Sequence, residues 1–126
     1  MESKTLMAPK VIPHTSISAK PVKMDGVKDA TIRELITGTD GAPNFAMRLF
    51  EVAPGGHTPL HGHNYEHEVF ILEGQGRLNG GDREKPLRKG DAVFVPANAA
   101  HQFENTGSEP LKFICLIPIQ HNCAKP

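Results

Sequence analysis

Between residues 30 and 118 the chain never runs more than about nine residues before a turn signal interrupts it. "ATIRELIT" (30–37) breaks at "GTDGAP", and "NFAMRLFEV" (44–52) breaks at "APGG". "EHEVFILEG" (66–74) leads into "QGRLNGGDREKPLRKGD", whose "NGG" is a strong hairpin turn. "AVFVP" (92–96), "AHQFEN" (100–105) and "LKFICLIP" (111–118) follow at similar intervals. No segment shows sustained helical periodicity, apart from one candidate turn near the C-terminus, and there is no internal repeat. The twelve glycines and eleven prolines supply the turns that such a pattern needs. Short strands at close spacing predict an all-β, antiparallel sandwich or barrel.

The chain has 126 residues, enough for one ordinary domain. Residues 1–27 carry no sustained period and are expected to form an extended arm, with one edge strand around Lys20 to Met24. Residues 28–120 would make the barrel and residues 121–126 a short tail. The arm is too polar to add to its own core, so its edge strand is expected to pair with a partner subunit, giving a homodimer. Lys4, Lys10, Lys20, Lys23 and Lys28 are too dispersed for a polybasic motif. Fourteen basic residues balance fourteen acidic ones, which gives no ground for a nucleic-acid or anionic-membrane partner. No apolar run approaches the roughly 18 residues that span a bilayer. The opening "MESKTLMAPKVIPHTS" lacks a signal-like apolar stretch, so a cytoplasmic location is expected. Cys115 and Cys123 are too few for a disulfide framework and are expected as free thiols.

The chemistry is concentrated in "HGHNYEHEVFILEG" (61–74). If that stretch is strand throughout, His61, His63 and His67 share one face with Val69 and Ile71, while Glu66 and Glu68 fall on the other. His101, in "GDAVFVPANAAHQFEN", follows a proline-terminated strand and is the best candidate to join them. On the residues alone, the cluster is either a set of metal ligands or a row of solvated imidazoles. His14, His57 and His121 are isolated and read as surface residues.

The punctuation around these histidines resembles the two cupin motifs. "GGHTPLHGHNYEHEVFILEG" is similar to G-x5-H-x-H-x3-4-E-x6-G, and "GDAVFVPANAAHQFEN" to G-x5-P-x-G-x2-H-x3-N. Gly55, His61, His63 and Gly74 fall in register with the first; Gly90, Pro96, His101 and Asn105 fall in register with the second. Asn98 stands at the second motif's glycine, a modest departure because asparagine tolerates left-handed backbone. Counting back from Gly74, the first motif's glutamate ligand falls on His67. Three histidines plus Glu68 is the alternative, although Glu68 needs one extra residue and faces the other way. The resemblance extends over roughly residues 30–118 and, within cupins, to small single-domain bacterial members with four-histidine manganese sites.

That resemblance implies a jelly-roll, or double-stranded β-helix, barrel that dimerises and holds one divalent metal on His61, His63, His67 and His101. Mn(II) is the first choice, with Fe(II), Ni(II), Cu(II) and Zn(II) open to the same donors. Four neutral imidazoles leave the metal's charge uncompensated, which favours an anionic ligand, and two positions of a six-coordinate ion stay open. The function expected is an oxygenase-type enzyme that performs dioxygenation or oxidative cleavage of a small organic substrate, with dioxygen as possible co-substrate. A non-catalytic, metal-containing binding or sensing protein is the alternative, and a sugar isomerase or epimerase the third. Strand parity aims Arg48, Phe50, Phe103, Phe113, Cys115 and Ile117 inward, where they either line a substrate pocket or pack as plain core. An inward Arg48 either binds an anionic substrate or pairs with a carboxylate. Cys115 is either inert packing or an oxidisable thiol near the metal, and Tyr65 is a candidate for the pocket mouth.

Overall fold

The computed structural model describes residues 8–80 and 82–119. Nine strands follow in order: β1 Lys20–Pro21, β2 Lys28–Ile36, β3 Phe45–His57, β4 His67–Glu73, β5 Gln75–Gly80, β6 Arg83–Arg88, β7 Ala92–Val95, β8 Gln102–Asn105 and β9 Leu111–Pro118. Two single 3-10 turns, His14–Ser16 and Gly38–Asp40, are the only helical residues among those described. All pairing is antiparallel and runs β6-β5-β8-β3-β9-β4-β7, with β2 on the other side of β3 and β1 beyond it. The sheet curls into a half-barrel whose concave face carries the core. The candidate C-terminal turn, the tail, His121 and Cys123 lie outside the described residues.

β3 is what joins the two ends of the sheet. Its first part pairs with β9 from Phe45↔Pro118 to Val52↔Leu111, and its last residue pairs with β8 at His57↔Glu104. "APGG" therefore does not end the strand, as its composition predicts, but bends it. Gly55 takes φ +81° there, and at Gly56 a side chain would collide with the carbonyl oxygens of Lys28 and Ala53.

Strict alternation fixes which residues face in. Along β9, Leu111, Phe113, Cys115 and Ile117 are buried and their neighbours are not. On β4 the same holds for His67, Val69 and Ile71. All of these but His67 form one apolar cluster with Val52, Leu87, Val95 and Phe103. Each large apolar side chain fully buried there contributes about 1.5–3 kcal/mol of transfer free energy. Asn105 is a buried polar residue beside this cluster. Its amide donates to the carbonyls of Val52 (2.8 Å) and Glu109 (2.9 Å) and accepts from Gly107 N–H (2.8 Å).

Two expectations from sequence are corrected. The arm's edge strand is shorter than expected and lies on this chain's own β2, through Lys20↔Ile32 and Pro21↔Thr31. Lys10 Nζ, which pairs with Asp40 (2.7 Å), and Arg33 Nε, which donates to the Ile17 carbonyl (2.8 Å), hold the rest of the arm along that edge. The histidine stretch is also not strand throughout. His61 makes an isolated bridge, residues 62–66 form a loop with bends at Asn64 and Tyr65, and β4 starts at His67.

Candidate metal centre

Two backbone devices bring the motifs together. His61 and His101 exchange hydrogen bonds, N–H to carbonyl in both directions, at 3.1 and 2.9 Å. Paired this closely in an antiparallel bridge, the two residues send their side chains to the same face. Asn98, at φ +68°, turns the segment before His101 so that its own N–H donates to the His63 carbonyl at 2.5 Å. Thr58 adds a third tie, since its hydroxyl accepts from Phe103 N–H (2.9 Å) and its own N–H donates to the Phe103 carbonyl (2.9 Å).

Side-chain nitrogens of His61, His63 and His101 all lie within 4.8 Å of one another, close enough to share one ion. His67 stands beside this group, its ring centroid 4.9 Å from His101 and 5.1 Å from His63. Glu68 is exposed on the outer face of β4, opposite Phe94 and Leu116, and cannot reach the cluster. Tyr65 stacks on His63 at 4.9 Å with the rings nearly parallel. His57 bonds the Thr58 carbonyl outside the cluster, and His14 is exposed in the arm.

The electrostatics keep these imidazoles neutral, which is the form that donates a lone pair to a metal. Burial, then the charges of His61, His101 and Arg48, push His63 down to about 4. Burial, then His101, Arg48 and the other two histidines, push His67 down to about 3. Burial and His101 lower His61. Burial also lowers His101, although the Ala99 carbonyl, 2.9 Å from its Nδ1, opposes this. With Nδ1–H directed at that carbonyl, Nε2 of His101 keeps its lone pair for a ligand.

The fit of a metal to this donor set rests on more than clustering. Nε2 of His67 is buried without a hydrogen-bond partner, while its Nδ1 sits 3.2 Å from Cys115 Sγ. With Nδ1–H donating to the sulfur, an unshared lone pair is left in the interior, and a cation among the histidines would satisfy it. A divalent ion therefore fits the residues present.

A cavity of about 600 Å³ opens beside the histidines, within the span of roughly 300–1,000 Å³ usual for small-molecule sites. Arg48, Phe50, Phe103, Phe113, Cys115 and Ile117 all line it. Phe103 stacks on Phe113 (4.6 Å) and Phe113 on Phe50 (5.2 Å), while His101 meets Phe103 edge-on at 6.2 Å. The Arg48 guanidinium lies over the Phe50 ring at 5.1 Å and donates to Cys115 Sγ at 3.3 Å. Burial raises the Cys115 thiol, with Arg48 acting against it. Sequence reasoning missed other lining residues, Val22, Met24, Ile32 and Thr58. Only the alternation of Val22 and Met24 with lysines hinted that this part of the arm covers anything.

A cupin domain model matches residues 48–117, more than half of the chain. The chain belongs to the cupin family. Its similarity to the polyketide cyclase RemF of Streptomyces resistomycificus extends over 90% of this cupin and 81% of that chain, with 35% identity and a TM-score of 0.85. Protein SchB of Streptomyces halstedii is 30% identical over 107 residues, 79% of this cupin and 78% of that protein. The oxalate-binding protein of Thermotoga maritima is 35% identical over 74 residues, 56% of this cupin and 61% of that protein. This cupin spans less than half of another relative, the 1-methylthio-D-xylulose 5-phosphate methylsulfurylase of Rhodospirillum rubrum, at 38% identity over 71 residues. Relatives with such different names share the barrel, so the fold alone does not fix the reaction.

Proposed function

We propose that this cupin is a metal-dependent enzyme acting on an enolisable carbonyl compound. The carrying observation is the convergence of His61, His63 and His101 nitrogens in the wall of an aromatic-lined cavity. We assign His67 as the fourth ligand, because its Nε2 is, among the described residues, the one buried imidazole nitrogen without a hydrogen-bond partner. A divalent ion held there supplies Lewis acidity to a carbonyl or enolate oxygen. Manganese is our first assignment, by the resemblance to four-histidine cupins, with iron, nickel, copper and zinc open to the same imidazoles.

The chain's own residues do the remaining work. Neutral imidazoles add no negative charge, so a developing enolate is not repelled. Phe50, Phe103, Phe113 and Ile117 keep water from the body of the substrate, which strengthens each polar contact inside. Similarity to a polyketide cyclase supports ring closure through such an enolate as the reaction. The oxygenase chemistry expected from sequence starts from the same enolate and adds dioxygen.

A homodimer and a cytoplasmic setting belong to the same proposal. Phe70 and Phe94 are exposed on the outer face of β4 and β7, beside the outward Ile114 and Leu116, as a two-fold contact needs. Cys115, a free buried thiol, suits a reducing compartment. Among the described residues no helix is long and apolar enough to cross a membrane.

Metal analysis of the purified protein, followed by assay of β-dicarbonyl compounds in an oxygen electrode, tests the function. One equivalent of metal and turnover without oxygen uptake is the expected result. Turnover coupled to oxygen uptake returns the reaction to the oxygenases, and metal-free protein that turns over equally well overturns the metal.

A further inference from the structure

Among the described residues, Arg48 is a cation without an anion. Its Nη2 donates to Cys115 Sγ and its guanidinium rests on Phe50, but both partners are neutral. Nε is buried with no hydrogen-bond partner. The carboxylate nearest in strand register is Glu34, which faces Arg48 across β2 and β3 and lines the same cavity. No ion pair joins them, and among the described residues no carboxylate lies within 4.0 Å of the guanidinium. Lys20 and Lys23 line the cavity as well, so basic groups outnumber Glu34 there before any metal is counted. A cavity with this balance attracts anions.

The position of Arg48 relative to the histidines narrows what such an anion is. One sulfur atom separates them, because Cys115 Sγ lies 3.3 Å from Arg48 Nη2 and 3.2 Å from His67 Nδ1. On the other side a continuous line of rings runs from His101 through Phe103 and Phe113 to Phe50. The guanidinium caps the far end of that line. Flat unsaturated groups pack on such a wall, and a charged end then meets Arg48 while a carbonyl reaches the histidines.

We infer that the substrate of this site is a flat, unsaturated organic monoanion, with Arg48 as the residue that binds its carboxylate or enolate. The inference rests on the metal-centre reading above and adds a substrate class to it. A single guanidinium with neutral neighbours matches one negative charge. A phosphate ester carries about two and calls for a cluster of donors.

The test is calorimetric titration of the metal-loaded full chain with 2-naphthoate, 2-naphthamide and 2-naphthyl phosphate. The three share a ring body and differ in charge. Wild-type protein should bind naphthoate at least about tenfold more tightly than the amide and no less tightly than the phosphate. Arg48→Gln should bring naphthoate down to the level of the amide, and Arg48→Lys should fall between. Equal binding of naphthoate and amide by the wild type overturns the inference, as does no binding of naphthoate at ~1 mM. Preference for the phosphate overturns the monoanion. If Arg48→Gln fails to fold, the wild-type comparison still decides the charge class, and Arg48→Lys still decides whether the guanidinium binds it, because naphthoate affinity unchanged in Arg48→Lys overturns that role. Metal content measured on the same samples separates the two readings. Lost charge selectivity with metal present removes only the substrate class, and Arg48-dependent naphthoate binding without metal removes only the metal centre.

Discussion

His61 and His101, forty positions apart, are locked backbone to backbone by reciprocal hydrogen bonds of 3.1 and 2.9 Å. The two histidine motifs are therefore held in one place by main-chain pairing, whatever occupies the side chains. Removing one imidazole should then empty the site without unfolding it. His61→Ala, His63→Ala and His101→Ala should each lower metal content to a small fraction of an equivalent, while circular dichroism keeps its β signature. Elemental analysis of the three purified variants checks this, and full metal occupancy in any of them would remove that residue from the ligand set.

Protons compete with the metal and also with the fold. Burial lowers His63 to about 4 and His67 to about 3, from an ordinary value of 6.5. Between about pH 4 and 6.5 the unfolded chain takes up protons that the folded, metal-free chain refuses, so stability rises with pH across this window. Metal-free protein should lose melting temperature as pH falls from 7 to about 4.5. His67→Gln, which has no proton to gain, should show a shallower fall. A profile of wild type that is flat between pH 7 and 4.5 would contradict the buried neutral imidazoles.

Asn105 matches the second motif yet serves the fold. Its three hydrogen bonds tie β8 to Val52 on β3 and to the turn before β9. Asn105→Ala leaves the buried Val52 carbonyl, the partly buried Glu109 carbonyl and the Gly107 N–H without their partner and should cost about 1–3 kcal/mol by denaturant unfolding. Metal stoichiometry at low temperature should not change. Loss of metal at unchanged stability would make the residue part of the site instead.

The dimer proposal stands on Phe70 and Phe94, which are 48% and 61% exposed on the convex face. Light scattering at micromolar concentration should give twice the mass of the chain, and Phe94→Glu should halve it while keeping metal content. A monomeric wild type would leave the exposed aromatics for some other contact.

What was legible in the sequence follows from range. Strand existence is a local property, and the six segments read between residues 30 and 118 all contain strands, because each is a short β-prone run set off by turn residues. Asn98 was legible too, as its left-handed φ of +68° is a local demand that asparagine meets. Bends and partners were not. "APGG" looks the same whether it ends a strand or bends it, and only pairing with both β8 and β9 decides. The arm's role as a cavity wall depends on Lys20↔Ile32, a contact that no periodicity within the arm specifies. His63 and His67 meet across a loop, not along a strand, so the parity rule located them together for an incomplete reason. The sequence alone does not choose between substrate and carboxylate for Arg48, because a missing partner is visible only once the carboxylates around it have their places.

His67 gives the sharpest test of the ligand set. It occupies the position where related motifs carry glutamate, on the inward face of β4, with Nε2 buried and unpartnered. The three-histidine group beside it needs no help from it to lie within 4.8 Å. If His67 completes the site, His67→Ala should weaken metal binding by about tenfold or more, and His67→Glu should recover it. The glutamate also places a negative charge near Arg48, so naphthoate affinity should fall in His67→Glu even with metal restored. Competition against a calibrated chelator measures the first effect and calorimetry the second. Equal metal affinity in all three proteins would show that His61, His63 and His101 bind alone. His67 would then be an imidazole that orients Cys115 and Arg48 and not a ligand.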